Sequence, residues 1–209
     1  MAEITAQAVN ALRKATGLGL MECKAILKEA DGDSKKAMTL VAEKGKANAA
    51  KRADRAAKAG RVEVYIHHDG KSGALIEVNC ETDFVARNDE FRQLAKDLAL
   101  HVVAANPVAV RREEVSADLV EEQRRIFLKQ AEDKPEPIRA KIAEGKLNSW
   151  FAESVLLDQA FVKDSAKSVR DVIMEINARV GENISVARFA RFIVGDTLAA
   201  EPEPEPAAG

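Results

Sequence analysis

Aromatics, cysteine, long apolar runs and an excess of one charge are all scarce in this sequence. Its 209 residues include seven Phe, one Trp and one Tyr. An aromatic in an unusual place therefore stands out. Two cysteines, Cys23 and Cys80, are too few for a closed zinc site. His67, His68 and His101 complete no ligand spacing, so no metal is expected. The eleven glycines are scattered and build no phosphate-cradling loop, so no nucleotide cofactor is expected either. No apolar run approaches the roughly 18–20 residues of a membrane span. The first residues, Met1 to Lys14, lack an apolar signal core and carry Glu3. Together these absences predict a cytoplasmic chain with reduced, structural thiols and no membrane contact. Lys+Arg 32 against Asp+Glu 34 leaves a net charge of −2, which argues against binding nucleic acid through global electrostatics.

What is present is helix-forming. The chain is 46% hydrophobic and 32% charged, rich in Ala, Leu, Lys and Glu. Residues 1–45 read as a module of three short helices. Ile4, Ala8, Val9 and Leu12 share the first apolar face, with Thr5 as N-cap. Gly17 and Gly19 break that helix, and Met21, Ala25, Ile26 and Ala30 set the next face. Asp33 or Ser34 caps a third helix through Ala37, Met38, Val41 and Ala42. Residues 46–60 read as a solvated helical linker with a basic face that includes Lys46, Lys51, Arg52 and Arg55.

The period then switches from helical to alternating. Val62, Val64 and Ile66 form one strand, Asp69-Gly70 a turn, and Ile76, Val78 and Cys80 the return strand. A hairpin is rarely stable alone, and Asn183–Val194 is the best third strand. The fold class is therefore α+β, with a core over 61–196 holding a small three-stranded antiparallel sheet packed by helices. Phe91, Leu94, Leu98 and Val102 mark one of those helices, ending near Asn106. A second runs from Ser116 to about Asp133. A third carries Ile138 and Ile142 and is interrupted at Gly145, with a shorter turn from Ser149 to Leu157. A last helix runs from Val169 to Gly181. The tail, 197–209, alternates acid and Pro with nothing to bury and is expected to be disordered.

One segment carries the functional argument. After the second strand come Thr82, Asp83, Phe84, Val85, Ala86 and Arg87, read as a strand-to-helix loop ahead of an N-cap at Asn88. A Phe beside an acid in such a loop has two readings. Either Phe84 folds back to plug the junction of sheet and helix, or it projects as an anchor for a partner's pocket.

Two stretches resemble the elongation factor Ts family. They are Leu12–Leu27, containing Thr16-Gly17-Leu18-Gly19-Leu20-Met21-Glu22-Cys23-Lys24, and Glu77–Arg87, containing Val78-Asn79-Cys80-Glu81-Thr82-Asp83-Phe84-Val85. The second is the family's hallmark. In the first, Ala25-Ile26 departs from the usual polar-then-Ala pair. The resemblance implies a ubiquitin-associated-like N-terminal module before an α+β core. It implies a guanine-nucleotide exchange factor that binds elongation factor Tu and promotes GDP release, without covalent chemistry. Thr82, Asp83, Phe84, Val85 and Arg87 would form the exchange loop, with Phe84 as a wedge near the partner's magnesium and phosphate site. Leu20, Met21 and Lys24 would form the N-terminal contact, unless Leu20 is ordinary core. Lys51 would add a charge contact. Burying one Phe supplies roughly 1.5–3 kcal/mol. A thousandfold acceleration needs about 4 kcal/mol, so the rest of the interface must contribute. Longer relatives carry two related halves and a coiled-coil insertion, for which this chain is short. A homodimer supplying the second half is the expectation from that shortfall.

Two other classes compete. A nucleic-acid-binding protein would use the basic stretch from Lys46 to Arg61, although aromatics are not interleaved there. A thiol hydrolase would pair Cys80 with His67 or His68 across the hairpin, but Cys80 shares the apolar face of Ile76 and Val78.

Overall fold

The computed structural model describes residues 4–16, 18–52 and 55–196. The acidic, proline-rich tail lies outside the described residues.

The amino-terminal part holds α1 (Ala6–Thr16), α2 (Leu20–Glu29) and α3 (Ser34–Arg52). Thr5 Oγ1 accepts from the Ala8 amide, and Asp33 Oδ1 accepts from the amides of Lys35 and Lys36. These caps satisfy amides that have no acceptor within the first turn of a helix. Val9, Leu12, Cys23, Ile26, Leu27, Ala30 and Ala37 make a small core, with Leu18 packed against it. The face of α2 differs from expectation. Met21 and Ala25 are exposed, and Cys23 and Leu27 take the inward positions. On α3, Met38 is likewise exposed.

Helix α3 does not stop at the expected boundary of residue 45. It continues to Arg52, and residues 55–58 are not helical, so the stretch 46–60 is helical only in its first part. The continuation seats α3 against the last helix of the core, α8 (Val169–Val180). Gly45 makes the close approach: a Cβ there would lie 2.9 Å from Ala178 Cβ.

The core is built on a sheet ordered β1 (Ala59–Ile66), β2 (Ser72–Cys80), β5 (Ser185–Ile193), antiparallel throughout. The distant third strand is where the alternation places it. Ala74, Ile76, Val78 and Cys80 of β2 face α5 (Asp89–Ala105), whose Phe91, Leu94, Leu98 and Val102 are buried against them. Left-handed Asn106 ends α5, and left-handed Gly181 ends α8.

Strand β1 turns opposite to a simple reading of its apolar alternation. Val62, Val64 and Ile66 face outward. Its inward positions are the half-buried Arg61, Glu63 and Tyr65, with Arg61 and Glu63 paired at 3.0 Å. The register pairs Val64 with Leu75 and Ile66 with Gly73, and across β2 these continue to Ala190 and Phe192 of β5. The outer sheet face thus holds two apolar rows, bounded by the Arg188–Glu77 pair at 2.8 Å. That hydrogen bond holds the Glu77 carboxyl below the usual carboxylate range.

Helices α6 (Ala117–Gln130) and α7 (Glu136–Ser154) form a hairpin. Helix α7 passes through Gly145 without the expected interruption, as a single glycine costs only about 1 kcal/mol. A short hairpin, β3 (Ala160–Phe161) and β4 (Asp164–Ser168), precedes α8. No described helix is long and apolar enough to cross a membrane.

Candidate functional site

The Thr82–Arg87 segment is a helical turn rather than an open loop. Strand β2 ends at buried Cys80, and Asp83–Ala86 form the single-turn helix α4. Thr82 is its N-cap, extended in backbone, with Oγ1 accepting from the Val85 amide at 3.4 Å. One helical turn must send successive side chains in different directions. Val85 and Ala86 point into the core beneath the sheet. Phe84 points out and is 84% exposed. Phe84 therefore does not plug the junction of sheet and helix. Val85, placed by expectation among the contact residues, is only 7% exposed and anchors the turn from below. Asp83 and Arg87 are both exposed and pair with each other at 2.8 Å. Such a surface pair contributes little energy, but it folds both charges along the turn beside Phe84.

The turn is held from both sides. Cys80 Sγ–H donates to the Thr82 carbonyl at 3.1 Å. Glu182, in the connection between α8 and β5, accepts from the amides of Glu81 and Thr82, each at 3.1 Å. Its other oxygen accepts from Thr82 Oγ1 at 2.7 Å. In return, Glu81 accepts from the Asn183 amide at 2.8 Å, and Asn183 Nδ2 donates to the Arg55 carbonyl at 2.9 Å. Downstream, the Asn88 amide donates to the Val85 carbonyl, and Asn88 Oδ1 caps α5 through the Glu90 amide at 2.8 Å. Nothing in the sequence around Glu182 marks it for this role.

The N-terminal patch is assembled differently. Leu20 is 48% exposed and Met21 75%, both in the first turn of α2, with Lys24 exposed one turn later. The core place open to Leu20 is taken instead by Leu18. The helix starts at Gly19, which offers no side-chain cap. Lys51 lies in the last turn of α3, but its side chain is outside the described residues, as are those of Lys46 and Arg52.

Nucleophilic chemistry finds no support at Cys80. Burial, followed by the nearby Glu182 charge, pushes its thiol up to about 11. His67 lies at the turn of the β1–β2 hairpin, whereas Cys80 pairs with Ala59 at the other end, roughly 25 Å of strand away. The proposed Cys80–His67 or Cys80–His68 pairing does not form. Among the described residues, no group of three or more His, Cys, Asp or Glu is placed to hold a metal ion. The arrangement offers an apolar side chain on a braced turn, flanked by an acid and a base, and a second apolar patch on the helical module.

The family model described as Elongation factor TS matches residues 2–196. Elongation factor Ts of Desulforamulus reducens is 52% identical over 200 residues, covering 95% of this chain and 92% of that protein. Elongation factor Ts of Geobacter metallireducens is 52% identical over 198 residues, 94% of this chain and 92% of the relative. That of Geobacter sulfurreducens is 52% identical over 197 residues, covering 93% and 91%.

Proposed function

From the membership of this chain in the elongation factor Ts family, we propose that it binds elongation factor Tu in its GDP form and accelerates GDP release during translation elongation in the cytoplasm. The observation that carries this reading is Phe84, an exposed aromatic on a turn whose backbone is fixed by its neighbours. A GDP site in a G domain relies on oriented amides and a magnesium ion. An aromatic driven into an apolar cleft beside that site separates several of those contacts together. Asp83 stands next to the wedge and meets polar groups at the cleft's edge, while Thr82 and Val85 hold the wedge in place. Leu20, Met21 and Lys24 form the second contact, on the partner's G domain, and Lys51 adds a charge contact. No covalent bond is made or broken. Coupling is reciprocal: the factor by which the protein weakens GDP is the factor by which GDP weakens the protein. Excess GTP then sets the direction.

Stopped-flow release of a fluorescent GDP analogue from elongation factor Tu tests this reading. The wild-type chain is expected to accelerate release, and Phe84→Ala to lose roughly 10- to 100-fold of that acceleration. Wild-type kinetics from a folded Phe84→Ala variant reject the wedge.

The same reading includes a homodimer. The outer sheet face, with Val62, Val64, Ile66, Leu75, Phe192 and Val194 exposed together, is the kind of contiguous apolar surface that a second copy covers. Light scattering is expected to give twice the chain mass, and Val64→Lys to give a monomer. A monomeric wild type at working concentration removes the dimer.

A further inference from the structure

The turn bearing Phe84 is held by a residue from the far end of the sequence. The amides of Glu81 and Thr82 fall between the last ladder pair of β2 and the first turn of α4, where neither ladder nor helix supplies an acceptor. Glu182 supplies it for both, and accepts a hydrogen bond from the Thr82 hydroxyl as well. Thr82 Oγ1 is thereby donor to Glu182 and acceptor from the Val85 amide, a full use of a hydroxyl that also sets its rotamer. The Cys80 thiol occupies the Thr82 carbonyl. Every polar group of Thr82 is thus committed, two residues before Phe84.

Glu182 is itself firmly placed. It follows the left-handed Gly181 that ends α8 and precedes buried Asn183, which is bonded to Glu81 and Arg55. The connection is tied further by Asn177, whose side chain exchanges two hydrogen bonds with Ile184. Helix α8 is also the helix on which α3 is seated.

We propose that Glu182 is a positioning residue for exchange: its carboxylate fixes the direction in which Phe84 leaves the core. The proposal rests on the exchange reading above. It assigns Glu182 no contact with nucleotide or partner, only an action through the turn.

Glu182→Ala and Glu182→Gln test it in the full chain. At saturating factor, Glu182→Ala is expected to slow GDP release about tenfold, with half-saturation little changed. Glu182→Gln keeps the volume and one carbonyl acceptor for the two amides, and is expected to lose only about two- to threefold. In the Phe84→Ala background, Glu182→Ala should cost less than about twofold, because a residue acting through Phe84 has nothing left to act on. In the free protein, amide exchange at Glu81 and Thr82 should quicken in Glu182→Ala while the α5 amides stay protected. Independent, multiplying losses in the double variant overturn the proposal, as do wild-type release rates from Glu182→Ala. Where Glu182→Ala unfolds, Glu182→Gln carries the decision, and wild-type release from it overturns the proposal. A wild-type chain that leaves GDP release unchanged overturns the exchange reading itself. Amide exchange in the free protein then still decides whether Glu182 holds the turn.

Discussion

Met21 and Phe84 are the two most exposed large apolar side chains among the described residues, yet the molecule supports them in opposite ways. Phe84 rides on a turn tied to Glu182, Cys80 and Asn88, above a core that runs from the sheet through α5 to α8. Met21 sits at the start of a helix with no side-chain cap, above a separate and smaller core built around Leu12, Ile26 and Leu27. The side chains themselves match this difference. Phe is rigid and keeps its shape when pushed, whereas Met is unbranched and adapts to the surface it meets. A side chain that must force two parts of a partner apart needs a stiff mount. One that only adds contact area does not.

That contrast can be broken, and the largest effect should come first. Phe84→Ala should lower the maximal rate of GDP release, and Leu20→Ala with Met21→Ala should instead weaken half-saturation by about 3- to 10-fold with the maximal rate kept. A rate loss from the α2 variants equal to that of Phe84→Ala would erase the distinction. A smaller effect is expected from Gly45→Ala, which sets a Cβ 2.9 Å from Ala178 Cβ and forces α3 off α8. Overpacking of this kind costs about 1–3 kcal/mol, part of it in the seating of the module, so half-saturation should weaken about threefold. Ala178→Gly in the same chain should restore it, and failure to do so would separate the seating of α3 from partner binding.

The smallest effect concerns acid and falls on the core side alone. His101 is fully buried, with Nδ1 accepting from the Val162 amide at 3.1 Å and Nε2 facing Gln159 Oε1 at 3.0 Å. Burial pushes its pKa below the ordinary value, so the folded ring stays neutral where an unfolded one takes a proton. Stability from this group is complete above about pH 6.5 and falls as pH drops from there toward the folded value. Urea melts between pH 7.5 and 5 should show a slope in the wild type that is flatter in His101→Gln. Equal slopes would remove His101 as the cause.

Much of this was legible in the sequence, and the rest fails for identifiable reasons. The face of α5 and the existence of a distant third strand follow from periodicity, because Phe91, Leu94, Leu98 and Val102 admit only one buried stripe. Alternation in β1 states which residues share a face, but not which face meets the core. Arg61 and Glu63 go inward as a pair, which frees Val62, Val64 and Ile66 for the outer face. Gly145 reads as a break only while α7 is considered without α6 beside it. The hallmark stretch around Phe84 marks the candidate site, while its short helical turn and its brace are invisible. Glu182 meets Thr82 across 100 residues, and no local pattern announces a partner that far away.

The same long reach orders events as the chain emerges during its own synthesis. The contacts that α1, α2 and α3 make with one another are local, so this module can fold early, while the seating of α3 on α8 must wait for α8. Strand β2 must wait for β5, and the Thr82 turn must wait for Glu182, so Phe84 is synthesised long before its mount exists. A nascent chain ending before residue 182 would present the aromatic without its aim. The candidate site is therefore completed only when both Thr82 and Glu182 have been made.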